Sequence, residues 1–242
     1  MLKKQDFYIL ACSLILFILG NAFAQQSAEE ALNNGKGYGI KSMYDEAIIE
    51  FTKALEINPK YTDAYVKRGS VYYKKGKLKQ ALSDYDKAIE INPNDGLIYS
   101  CRGLVYQSTG SIDQALLDYN KSIALGLGKA ELADAYNNRG LIYAQKVLLD
   151  EAISDFTKAI EIKSDFAQAY YSRGLVYQKK KFYDKAIADY TKAIEIYPTY
   201  VEAYNNRGAV YSMIDKLEES LSDCNKAIDI NPKFTNAYGL RA

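Results

Sequence analysis

Residues 167–200 read AQAYYSRGLVYQKKKFYDKAIADYTKAIEIYPTY, and their framework returns along nearly the whole chain. Gly174 has counterparts at Gly35, Gly69, Gly103, Gly140 and Gly208, with spacings of 34, 34, 37, 34 and 34 residues. A fixed period of this size marks a stack of repeats, each one supersecondary unit that cannot bury its apolar face alone. Numbering each period so that this Gly is eighth gives repeats 28–61, 62–95, 96–132, 133–166, 167–200 and 201–234. Residues 235–242 begin a seventh repeat or form a truncated capping helix.

Each period predicts two helices. Three residues after the Gly stands Tyr38, Tyr72, Tyr106, Tyr143, Tyr177 or Tyr211, and four before it Tyr65, Tyr99, Tyr136, Tyr170 or Tyr204. Spacings of three, four and seven place these on one helical face, where tyrosines serve as core packing. In the second helix Ala47, Ala81, Ala115, Ala152, Ala186 and Ser220 occupy position twenty, and Phe51, Tyr85, Tyr119, Phe156, Tyr190 and Cys224 position twenty-four. Small residues alternating with aromatics let two helices interlock. Pro59, Pro93, Pro198 and Pro232 close four repeats, since Pro cannot continue a helix.

This pattern resembles the tetratricopeptide repeat family over 207 consecutive residues, 28–234. The resemblance implies an all-α fold, a right-handed α-solenoid of antiparallel helix pairs. The sequence departs from the family pattern by carrying Tyr for Trp and Arg for Leu before the Gly. In repeat three, residues are added around Leu125-Gly126-Leu127-Gly128 and the closing Pro is missing.

Arg68, Arg102, Arg139, Arg173, Arg207 and Arg241 stand before the Gly (or Ala242), and Glu50, Asp84, Asp118, Asp155, Asp189 and Asp223 occupy position twenty-three. Pairing each acid with the next repeat's Arg uses all twelve, whereas pairing within repeats leaves Glu50 facing Asn34. The expectation is an inter-repeat ladder of exposed pairs, each contributing at most about 1 kcal/mol. The competing partner is Lys at position twenty-six, as in Lys53 or Lys192.

The start of the chain reads as a secretory signal peptide, residues 1–24, followed by a short linker, 25–27. Lys3 and Lys4 supply a basic start, residues 7–20 (FYILACSLILFILG) an apolar run, and Ala22-Phe23-Ala24 a cleavage site. The alternative is an uncleaved membrane anchor. Export places the mature protein in the periplasm or outside the cell, with 29 basic and 29 acidic side chains. Cys101 and Cys224, in different repeats, are expected to lie too far apart to bridge.

The chain contains no His, which removes Ser-His-Asp and Cys-His sites and the commonest metal ligand. GKGYG at 35–39 lacks the preceding strand and Lys-Ser/Thr ending of a phosphate loop. No nucleophile, base and orienting partner come together, so the expectation is no enzyme, no cofactor and no metal. Charge is balanced, with 31 basic and 30 acidic residues, which argues against nucleic acid.

What remains is a partner surface. The family resemblance implies that first helices line a concave side and bind partners through positions two, five or six, nine and thirteen. On this chain those positions single out Leu104, Leu141 and Leu175, flanked by Asn138, Asn206 and Lys179. Clustered exposed apolar side chains mark interaction sites, and Asn can bond a peptide backbone through both donor and acceptor. Packing of these leucines against neighbouring first helices is the alternative. The leading function is a non-catalytic scaffold or adaptor of the cell envelope for a protein or peptide. Two other readings are the repeat portion of a larger exported protein with a downstream effector domain, and an envelope glycan or small-ligand binder.

Overall fold

The structure, a computed structural model, describes residues 4–241, with the side chains of 18–20 and 22–239. Most of the apolar run of the leader, its basic start and Arg241 therefore lie outside the described side chains. Among the described residues there are helices and no strands.

The chain divides into two compact units, Met1–Ala115 and Leu116–Ala242. The first holds α1 (Lys4–Ile40), α2 (Tyr44–Ile57), α3 (Thr62–Lys74), α4 (Leu78–Ile91), α5 (Gly96–Ser108) and the start of α6 (Ile112–Leu125). The second holds the rest of α6 and α7 (Lys129–Gln145), α8 (Leu149–Ile162), α9 (Ala167–Lys179), α10 (Tyr183–Ile196), α11 (Val201–Met213), α12 (Leu217–Ile230) and α13 (Thr235–Arg241). Within the first unit α1 packs on α2 and α3 on α4, with α2 against α3 and α4 against α5; α7 to α13 continue the same scheme within the second.

α1 runs unbroken from the expected leader into the first repeat. Ile18, Leu19 and Phe23 are exposed, at 56%, 60% and 73%, whereas Ala28, Ala31 and Leu32 are buried, so among the described side chains packing begins at the first repeat. Among the described residues no helix is long and apolar enough to cross a membrane.

The glycine at position eight owes its place to the aromatic at position twenty-four. A Cβ on Gly35 would stand 2.5 Å from Phe51 Cε1, one on Gly140 2.8 Å from Phe156 Cε1, and one on Gly174 2.7 Å from Tyr190 Cε1. These rings are buried, so the first helix approaches the second closely only where a side chain is missing. In repeat six Cys224 replaces the ring, and the contact at Gly208 relaxes to 3.3 Å from the Asp223 Cβ and the Ser220 carbonyl.

The turn between the two helices of a repeat has one geometry throughout. Its middle residue is left-handed at Ser42, Gly76, Gly110, Val147, Lys181 and Asp215. The next amide donates back to the carbonyl of the position-eleven Tyr, as in Leu148 to Tyr143 at 2.9 Å and Phe182 to Tyr177 at 2.9 Å. This closes the first helix with the six-to-one bond of a Schellman motif. Glycine fits this conformation; the β-branched Val147, at φ 62°, holds it against steric strain.

Repeat three absorbs its extra residues on both sides of one turn. Gly126 reverses the chain at φ 88°, and α7 starts early, running 17 residues where α5, α9 and α11 run 13. The added turn of helix leaves Ala133 and Ala135 buried.

Candidate partner-binding face

The first helices carry two kinds of position. Those held by packing centre on the Arg before each Gly. In repeat five, Arg173 Nε donates to Asp189 Oδ2 at 2.8 Å and Nη2 to Asp189 Oδ1 at 2.8 Å, a two-point fork across one helix pair. Its third arm, Nη1, reaches Thr157 of the preceding repeat at 2.9 Å. The guanidinium also lies between two rings of its own helix, 5.7 Å from the Tyr170 centroid and 5.8 Å from Tyr177. Arg68, Arg139 and Arg207 repeat the arrangement, forking onto Asp84, Asp155 and Asp223 and reaching Thr52, Asn120 and Thr191.

This corrects the expected ladder. The acid at position twenty-three pairs with the Arg of its own repeat, because the guanidinium fork lies directly across the helix pair from it. The inter-repeat bond runs instead through position twenty-five, and there Arg102 Nη1 meets Asp86 at 2.7 Å. Glu50, whose repeat carries Asn34 in place of the Arg, takes Lys53 on its own helix. The pairs are not exposed either: Asp155 is 2% accessible and Asp189 6%. Their loss therefore follows the arithmetic of a buried pair, in which removing one partner strands a desolvated charge. The Asp84 hydrogen bond holds the Arg68 guanidinium above its ordinary range.

The other positions differ in exposure. Leu175 and Lys179 on α9 are exposed. Leu141 on α7 is half-buried against a cluster containing Phe156 and Val176. Leu104 on α5 is half-buried in the first unit. The structure thus places five of the six candidates, Asn138, Leu141, Leu175, Lys179 and Asn206, in the second unit and Leu104 in the first. The two asparagines come from the repeated string AYNNRG and have one geometry. Asn137 Nδ2 donates to Asn138 Oδ1 at 3.4 Å and Asn205 Nδ2 to Asn206 Oδ1 at 3.3 Å. Asn206 in turn donates to the Tyr171 hydroxyl at 2.9 Å.

Tyr171 is part of an aromatic group the repeat pattern did not single out. Its ring lies 4.8 Å from Tyr200 and 5.8 Å from Tyr190, and burial followed by the Glu202 charge raises its pKa. The hydroxyls are held by neighbouring side chains, Tyr200 donating to Gln168 at 2.9 Å and Tyr190 to Gln178 at 2.7 Å, so these rings work as packing. Cys101 and Cys224 both remain thiols, and burial pushes the Cys101 thiol up to about 11.

The TPR repeat family model matches residues 38–76 and 69–110, and the tetratricopeptide repeat model residues 133–166, 167–200 and 201–234. The chain belongs to the tetratricopeptide repeat family. Among solved structures, this tetratricopeptide repeat chain is similar to pilF of Pseudomonas aeruginosa, with a TM-score of 0.81 at 16% identity over 90% of this chain and 98% of that one. It is similar to MamA, with a TM-score of 0.62 at 28% identity over 69% and 96%. It is also similar to YrrB, a TPR protein with an unusual peptide-binding site, at 0.65 and 24% identity over 78% and 96%. At the identities of pilF and YrrB the likeness concerns the fold alone. No curated protein matches the chain in sequence.

Proposed function

We propose that this protein is a non-catalytic interaction scaffold or adaptor of the cell envelope, holding a protein or peptide on the outward face of its first helices. One observation carries the reading. From repeat to repeat the Arg staple, its two tyrosines and the Gly are held nearly constant, while the outward column differs: position thirteen, exposed in every repeat, reads Ile40, Lys74, Ser108, Gln145, Lys179 and Met213. Packing explains the constant set, and it leaves the outward set free to be specified by a partner. Leu175, Lys179 and Asn206 combine apolar area with donors and an acceptor, which suits an extended peptide. The peptide-binding site of YrrB supports the class of ligand.

The envelope location rests on the leader: two lysines, an apolar run, Ala22-Phe23-Ala24, and side chains at 18, 19 and 23 that are more than half exposed. Intact mass of the protein recovered from cells tests it, with an amino terminus at Gln25 expected; a terminus at Met1 would overturn cleavage. The binding face is tested by changing Leu104, Leu141 and Leu175 to Ser together and repeating a crosslinking capture. Partner loss with an unchanged helical spectrum is expected, and undiminished capture would reject this face.

A further inference from the structure

Most of the candidate leucines and asparagines lie in the second unit, and the first has an opening of its own. A groove of about 590 Å³ runs between α1 and α3, lined by Lys36, Ile40, Asp63, Lys67, Ser70 and Lys74 among others. Its side chains come from outward positions two, six, nine and thirteen of the first two repeats. Lys36 is neutralised by Asp63 at 2.8 Å. Lys67 and Lys74 form no ion pair among the described residues. The lining therefore carries three lysines against one acid, in a chain whose net charge is only +1.

The spacing of those two lysines is specific. They stand seven residues apart on one face of α3, about 10.5 Å along a helix rising about 1.5 Å per residue. An extended chain of the polyproline II kind advances about 3.1 Å per residue with three residues per turn, so carboxylates three residues apart lie on one side of it and are separated by nearly the same distance. Between the lysines sits Ser70, whose hydroxyl is held by the Val66 carbonyl at 2.9 Å and the Tyr85 hydroxyl at 3.1 Å, giving a fixed polar midpoint. At one end Ile40 is 86% exposed, and Gly39 beside it leaves bare backbone, since a Cβ there would meet nothing within 4 Å.

We propose that this groove binds an acidic peptide segment in extended form, two carboxylates three residues apart meeting Lys67 and Lys74 and an apolar side chain resting on Ile40. The proposal rests on the protein-binding reading and adds the chemistry of the partner. Two unpaired cations and an apolar end fit a short acidic segment of a protein better than nucleic acid, whose affinity comes from many phosphate contacts. They also fit it better than an anionic lipid surface, which is held by clusters of four to eight basic residues.

The test is fluorescence anisotropy on the full chain with a labelled peptide containing Glu-Leu-Ala-Glu and a twin containing Gln-Leu-Ala-Gln. The Glu peptide should bind at least about tenfold more tightly than its twin, and the double variant Lys67→Gln, Lys74→Gln should lose at least about tenfold. Affinity should fall as salt rises from about 50 to about 300 mM, and Ile40→Ser should weaken binding without changing that salt slope. Neither lysine is in an ion pair, so the variants should keep the wild-type helical spectrum and melting temperature. Equal binding of the two peptides, or wild-type affinity in the double variant, would overturn the proposal. So would lysine-dependent binding of single-stranded DNA or phosphatidylserine vesicles that the Glu peptide does not displace. If the peptide fails while crosslinked capture still depends on the leucines, only the acidic groove is lost; failure of that dependence removes the wider reading.

Discussion

Replacing Arg173 with Met separates a buried staple from a decorative surface pair. The substitution keeps a long apolar stem between Tyr170 and Tyr177 but removes both fork bonds to Asp189 and the arm to Thr157. Asp189 is 6% accessible, so its carboxylate would be stranded in a desolvated site, a situation that costs about 3 kcal/mol or more. For a chain of this size that lowers the melting temperature by about 6 to 12 °C. The comparison is Lys180→Met, which removes the ion pair to Asp150, whose side chain is 83% exposed, and should cost less than about 1 kcal/mol. The double variant Arg173→Met, Asp189→Leu should recover much of the loss, because no charge is then left buried. Urea melts followed by circular dichroism read these proteins, the wild type and the single Asp189→Leu variant that completes the cycle. An Arg173→Met cost below about 1 kcal/mol, or additive costs in the double variant, would refute the reasoning.

Three further outcomes follow from particular contacts. Val147→Gly should stabilise by about 0.5–1 kcal/mol, since relief of left-handed strain outweighs the entropy of Gly, and a melt no higher than wild type would reject the strain. Gly174→Ala should cost about 2 kcal/mol because its Cβ meets the held Tyr190 ring at 2.7 Å, while Gly208→Ala, with nothing nearer than 3.3 Å, should stay within about 0.5 kcal/mol of neutral; equal effects would break the link between Gly and ring. Cys101 should alkylate slowly at neutral pH, its rate rising toward about pH 11. A thiol raised from 9.0 to about 11 favours the folded state while protonated, so its contribution is present below about pH 9 and is lost between there and about 11. Fast alkylation at neutral pH would contradict the burial.

The helix pairs were legible because Gly, Tyr and Ala recur at helical spacing, and packing imposes those columns directly. The partner of each Arg was not, because a sequence column gives register along one helix and says nothing of which neighbour lies across from it. The signal that could have found the inter-repeat arm was position twenty-five, where Thr52, Asp86, Asn120, Thr157, Thr191 and Asn225 all offer an oxygen. The left-handed turn was hidden for a different reason: Gly76 and Gly110 advertise it, but Ser42, Val147, Lys181 and Asp215 adopt it under the control of the flanking helices. The lysine groove was missed because Lys36, Lys67 and Lys74 fall at three different repeat positions, so no column contains them together.

Because the Arg, two Tyr, Asp and Gly settle each helix pair among themselves, a change at position thirteen, exposed in every repeat, meets few constraints from the core. Each unit can then present its own chemistry on the same backbone: lysines and Ile40 between α1 and α3, and Leu175, Lys179 and Asn206 on α9 and α11. Specificity in this arrangement is a property of combinations across adjacent first helices and not of any single conserved motif. The folding variants and the binding variants should accordingly separate: Arg173→Met should lower the melting temperature, and Lys67→Gln with Lys74→Gln should leave it unchanged while altering what is bound.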